Sequence, residues 1–238
     1  MVSGRNSTGG FDPFGWLENW IPARHLHRLI RLGVIAIVIV FLIHRIGQYK
    51  DFLVKPLWAV ETFIFVAFLI SYAIRMDPVE RSRGFREIVV PLIGGVLPFA
   101  LLLSPPTPWM AGSPYRLYAV FYWMTVTSSL TLWGLWTLRR SFSITVEART
   151  LVTGGPYLWV RHPIYLGEML TAGGVLAWRF SSENLIIFLT FVCIQLLRAR
   201  WEEGKLMKYF PQYMEYAGRS KWVCPKPSKY HPPSGSKP

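Results

Sequence analysis

Glycine, proline, aromatic, arginine and histidine side chains are gathered in one stretch of this chain, residues 151–167, LVTGGPYLWVRHPIYLG. Gly154-Gly155-Pro156 cannot continue a helix, so the backbone turns there. Arg161 and His162 follow, and Pro163 both restrains His162 to an extended backbone and can open a new helix. A helix from Pro163 through Tyr165, Gly167 and Glu168 would aim its unsatisfied N–H groups and positive end at the turn carrying Tyr157, Arg161 and His162. Such a nest suits a carboxylate or another anionic group, and the glycines let a flat ligand approach the backbone. Further on, Arg198 and Glu202 stand four residues apart and share a helical face. Taken alone, that pair describes a solvated ion pair where a helix leaves the bilayer.

Taken together, Gly155-Pro156-Tyr157, then Arg161-His162-Pro163-Ile164-Tyr165-Leu166-Gly167, then Glu202-Glu203-Gly204-Lys205-Leu206, resemble the signature of the integral-membrane methyltransferases. That group includes the isoprenylcysteine carboxyl methyltransferases and the phospholipid N-methyltransferases. The resemblance covers residues 139–217 and implies an enzyme with S-adenosylmethionine as cofactor and a lipophilic or amphipathic acceptor. Matching positions imply cofactor contacts from Glu147, Arg149, Thr150, Leu151, Val152, Tyr157, His162, Pro163, Ile164, Tyr165 and Glu202. They imply that Arg198 contacts the acceptor. Glu147 departs from the pattern, standing where the isoprenylcysteine enzymes have an uncharged amide, and the segment from Phe142 to Leu151 is shorter here.

Methyl transfer from a sulfonium needs alignment and exclusion of water more than a protein nucleophile. A site made of binding groups without a triad accords with that. Tyr157 or Tyr165 can face the adenine ring or the sulfonium, the helix start at Pro163 with His162 can hold the carboxylate, and Glu202 can hold the ammonium or the ribose hydroxyls. A carboxylate acceptor would pair with Arg198. An amine acceptor would need a carboxylate for the departing proton, which Glu203 or Glu147 could supply, and a thiol acceptor would need a thiolate. Arg198 and Glu203 are therefore the candidate catalytic residues. Arg161 has two open roles, holding a lipid phosphate or bracing the fold.

The elements that must position these groups are read from composition and hydropathy. The chain of 238 residues is 52% hydrophobic yet carries a formal net charge of +13. Apolar runs separated by basic loops produce that combination in multi-pass membrane proteins. A nucleic-acid partner is disfavoured, because the basic residues flank apolar runs and form no single stripe. Two cysteines, Cys193 and Cys224, indicate neither a disulfide framework nor a cysteine-based metal site. No small-residue cleavage site follows the first apolar run, so no cleavable signal peptide is expected.

The expected fold class is all-α: a polytopic transmembrane bundle of about four spans, a C-terminal helical hairpin and a cytosolic C-terminal cap. Residues 1–28 form an N-terminal segment in which 11–22 reads either as an interfacial piece or as a plain aromatic linker, residues 29–138 hold the four spans, residues 139–222 the cofactor-binding core, and residues 223–238 a disordered basic tail. Glu61, near one end of the second run, is expected to snorkel toward an interface. The arginine-rich loops at 75–86 and 139–161 place the site and both termini on the cytoplasmic side. The basic loop near 45–55 runs against that assignment. Two alternatives remain at this stage: a sterol-reductase-like membrane enzyme using NADPH, and a non-catalytic transporter or scaffold with no cofactor affinity.

Overall fold

A computed structural model describes residues 23–50, 52–76, 79, 82 and 84–220. The 11–22 segment, interfacial or linker, and the basic tail at 223–238 lie outside the described residues. Within them the chain forms α1 (Ala23–Gly47), α2 (Lys55–Ala73), α3 (Gly84–Ala100), the single turn α4 (Pro108–Ala111), α5 (Pro114–Leu138), α6 (Pro163–Trp178), α7 (Ser182–Tyr209) and α8 (Tyr213–Arg219). Among the described residues there is no β-sheet, and the all-α expectation holds.

Proline sets several of these starts: α2, α5 and α6 each carry one in their first two positions, where the missing N–H costs nothing. Ser181 caps α7, its hydroxyl accepting from the Asn184 amide at 3.1 Å. Pro91 and Pro98 sit inside α3 without ending it. A bundle tolerates this where neighbouring groups re-satisfy the freed carbonyls.

Among the described residues, three stretches are long and apolar enough to cross a membrane: Lys55–Ala73, Phe85–Leu103 and Ser182–Tyr209. The other apolar runs are helical as well, but differ in composition or length. α5 is rich in hydroxyls, and several bond within the helix: Thr125 donates to the Phe121 carbonyl at 2.8 Å and Ser129 to the Thr125 carbonyl at 2.8 Å, whereas the buried Thr131 hydroxyl has no hydrogen-bond partner. Across to α6, the Thr127 and Thr171 hydroxyls meet at 2.8 Å. α6 has 16 residues, short against the roughly 20 that a bilayer core requires.

Glu61 departs from expectation. It does not snorkel: its carboxylate pairs with Arg45, whose Nε also donates to the Thr62 hydroxyl at 3.3 Å. A carboxylate inside an apolar helix needs a cation at hand, and Arg45 belongs to the last turn of α1 rather than to the loop that follows.

α5 packs along α6, with α2 on its other side, and α3 packs along α7. The shared core includes Phe121, Met124 and Leu135 of α5, Ile164, Tyr165 and Met169 of α6, and Phe191 and Ala199 of α7. The α5–α6 approach is closest at Gly167, where an added Cβ would lie 2.3 Å from Thr131 Oγ1, 2.8 Å from the Thr127 carbonyl and 2.9 Å from the Thr131 nitrogen. Backbone atoms cannot step aside, so Gly167→Ala is expected to force the helices apart, costing about 1–3 kcal/mol. Gly173 is the control. Its Cβ would meet only Phe188 ring atoms, at 3.8 Å, so Gly173→Ala should leave the unfolding midpoint unchanged or raise it. Thermal unfolding of the two variants in the same detergent checks the contrast.

Candidate active site

The turn between α5 and α6 is built on Gly155, whose φ of +58° favours glycine. Its missing Cβ also gives room to Thr137, because a methyl there would sit 2.7 Å from the Thr137 hydroxyl. A 3-10 turn, Gly155–Leu158, then buries Pro156 and Tyr157, and α6 begins at Pro163 with His162 as its N-cap. No side chain caps that helix start.

From the far end of the chain, α7 brings two adjacent carboxylates to this point, and they take different partners. Glu203 is 3% exposed and accepts from His162 Nε2 at 3.1 Å, with Arg161 Nε 3.3 Å from the same oxygen. Glu202 accepts from the Tyr165 hydroxyl. The His162 and Tyr165 rings stack nearly parallel, 5.5 Å between centroids. Over the Tyr165 ring, at 4.8 Å, lies the Arg198 guanidinium, which donates to Gln195 Oε1 and to the Ile144 carbonyl, each at 3.0 Å. The Gln195 amide in turn donates to Glu168. One connected polar network thus runs from Arg161 to Glu168 between α6 and α7.

The short helix α8 folds back over the turn. Tyr213 is buried, and the Tyr216 hydroxyl donates to the Tyr157 carbonyl at 2.8 Å. Burial pushes the Tyr157 phenol well above the usual range, and the Glu202 carboxylate adds to it. Burial also pushes Tyr216 up, to about 12. A phenol raised on folding holds its proton longer in the native state. Its stabilisation is therefore complete below the ordinary tyrosine value near 10 and is lost as pH climbs toward about 12. The wild-type unfolding midpoint should fall more steeply across that window than that of Tyr216→Phe. At neutral pH the variant should be less stable by about 0.5–1.5 kcal/mol, the worth of the lost hydrogen bond.

The structure brings together Tyr157, His162, Pro163, Ile164, Tyr165, Arg198, Glu202 and Glu203. It holds the 147–150 positions differently. Arg149 pairs with Glu147 at 2.5 Å, and Glu147 also accepts from Ser143 at 2.9 Å and from Ser82 at 3.4 Å. The Thr150 hydroxyl bonds to that of Ser141. Leu151 and Val152 are half-buried. This segment is clamped in place: the Val146 amide donates to the Glu87 carbonyl at 3.1 Å, and Lys205 Nζ donates to the Val146 carbonyl at 2.9 Å. Its link to the network is the Ile144 carbonyl under Arg198. For Arg161, burial and the contact with Glu203 decide for bracing the fold over holding a lipid phosphate.

Sequence reasoning passed over Glu168, Gln195 and Tyr213 as site residues. The signal for the first two was present. Gln195, Arg198 and Glu202 are spaced three and four apart, and Tyr165 and Glu168 three apart, so each set shares one helical face.

Residues 110–213 match the phospholipid methyltransferase family. Those residues carry the integral-membrane methyltransferase pattern. The matched segment starts in α4, ends at the first residue of α8, and contains every member of the α6–α7 network, whereas α1–α3 lie outside it. Over 85 residues the chain is 35% identical to the cobalt-zinc-cadmium resistance protein CzcN of Cupriavidus metallidurans, an alignment taking in 34% of this chain and 38% of that protein. The chain thus spans well under half the length of that relative. No solved structure matches it. The methyltransferase resemblance therefore rests on the same C-terminal stretch in which the sequence motif and the buried network coincide.

Proposed function

We propose that this chain is a membrane-embedded, S-adenosylmethionine-dependent methyltransferase acting on a lipophilic or amphipathic acceptor, with its site and both termini on the cytoplasmic side. One observation carries the proposal. Within the family-matched segment, the Arg-His-Pro helix start and the Glu-Glu helix exit meet in one buried network, although 41 residues separate His162 from Glu203.

The groups present fit the cofactor. The uncapped start of α6 offers N–H groups to a carboxylate. Glu202 suits an ammonium or ribose hydroxyls, and the Tyr157 ring suits a flat ring or a sulfonium. Arg198 Nε is buried without a hydrogen-bond partner, leaving one donor for an acceptor group. The cofactor supplies an electrophilic methyl on sulfur. The chain's own residues bind, orient and exclude water. Arg198 steadies the acceptor from its seat on Tyr165, while Glu203, engaged by Arg161 and His162, fixes the helix start. Glu203 remains the candidate for taking a proton from an amine acceptor. Glu147, paired with Arg149, is the alternative.

The test is transfer of a radiolabelled methyl from S-adenosylmethionine by the purified protein, offered a total lipid extract, a prenylcysteine analogue and small thiols in parallel. Label should enter a lipophilic acceptor. Binding of NADPH in place of S-adenosylhomocysteine would instead favour the reductase-like alternative, and binding of neither by folded protein the scaffold.

A further inference from the structure

The end of the bundle where α3 begins and α7 leaves its apolar part holds a cavity of about 450 Å³ that the network does not use. Arg86 and Glu87 of α3 form one wall, and Arg200, Trp201, Gly204, Lys205 and Lys208 of α7, with Tyr209, form the other. Arg200, Gly204 and Lys208 are four apart, a stripe on the face of α7 turned away from Arg198 and Glu202. The walls are fastened to each other: Lys205 Nζ donates to Glu87 at 2.7 Å, and the Arg86 guanidinium lies 4.3 Å over the Trp201 ring.

Four cations and one carboxylate line this space, so it has a strong surplus of positive charge. Its place in the fold narrows the ligand. Two of the membrane-crossing stretches, Phe85–Leu103 and Ser182–Tyr209, meet at it, one by its first residues and the other by its last. It therefore lies at headgroup depth, and its aromatic members, Trp201 and Tyr209, are the types that settle at that depth. Basic pockets between membrane helices hold phosphate-bearing headgroups. Gly204 forms an open floor, since a Cβ there would meet nothing within 4 Å.

We infer that the Arg86–Arg200–Lys208 cavity between α3 and α7 binds the phosphodiester headgroup of an anionic phospholipid, at a site separate from the methyl-transfer network and independent of that function. Native mass spectrometry tests this on the full chain released from micelles containing equal phosphatidylglycerol and phosphatidylcholine. The wild type should retain phosphatidylglycerol preferentially. The double variant Arg86→Gln/Arg200→Gln should lose about tenfold or more of that retention. Gly204→Phe, which fills the cavity without changing its charge, should lose it too while keeping the wild-type helix content. Equal retention of the two lipids, or wild-type retention by both folded variants, would overturn the inference. A rise in unfolding midpoint with inorganic phosphate alone, as large as with phosphatidylglycerol, would reassign the site to a soluble phosphate and overturn the lipid assignment.

Discussion

Glu203→Ala should destabilise the protein by about 3–5 kcal/mol, the usual consequence of removing one partner from a buried ion pair. Glu203, Arg161 and His162 are each less than a tenth exposed, and one carboxylate oxygen faces both basic groups. Without it, the Arg161 charge stays in a space built around an anion. The helix start at Pro163 loses the tie that fixes it to α7. Glu203→Gln keeps the shape and one acceptor oxygen but not the charge, so it should fall between wild type and Glu203→Ala. Thermal or denaturant unfolding in detergent reads both. An alanine variant as stable as wild type would show that the Arg161–Glu203 contact does not hold α6 to α7.

Glu202→Ala should disturb the fold less than Glu203→Ala and act mainly on the ligand. Glu202 is only half-buried, and its partner is a neutral hydroxyl, that of Tyr165. Its loss leaves the buried Arg198 guanidinium with Glu168 as its remaining nearby carboxylate and the Tyr165 hydroxyl without its acceptor, a smaller disturbance than taking Glu203 from between Arg161 and His162. A hydrogen bond to a charged group contributes about 1.5–3 kcal/mol, so affinity for S-adenosylhomocysteine should fall roughly 10- to 150-fold, with a smaller drop in unfolding midpoint than Glu203→Ala causes. Tyr165→Phe separates two roles. It frees Glu202 of its hydroxyl partner but keeps the ring beneath Arg198, so it should weaken binding less than Glu202→Ala does. The carboxylates of two consecutive residues are thus expected to answer to different assays, one to stability and the other to ligand affinity.

Much of this was legible before any coordinates. The broken backbone at Gly154-Gly155-Pro156, the helix start at Pro163 and the pairing of the two motif halves follow from local rules for glycine, proline and helix ends. These act over a few residues, so sequence carries them well. What sequence carried less well was partner choice over long distances. Glu61 was expected to reach for an interface, but Arg45 lies within range once α1 and α2 pack, and a close cation outweighs a longer path to water. Arg161 had two open roles until Glu203 was seen against it. Glu147 and Arg149, matched by position to cofactor contacts, also pair with each other, an arrangement that the motif does not announce. Membrane crossing was hardest to judge for α5. Its hydroxyls lower its hydropathy, yet several of them bond to carbonyls one turn back or to Thr171 across the helix interface.

Calorimetric titration of S-adenosylhomocysteine into the purified, folded wild type, His162→Ala and Glu202→Ala, with NADPH as the parallel ligand, tests the central claim most directly. Saturable binding of S-adenosylhomocysteine by the wild type, sharply weaker binding by both variants and no response to NADPH are expected. Undiminished affinity in both variants would contradict the placement of the site, and no binding by folded wild type would contradict the function itself.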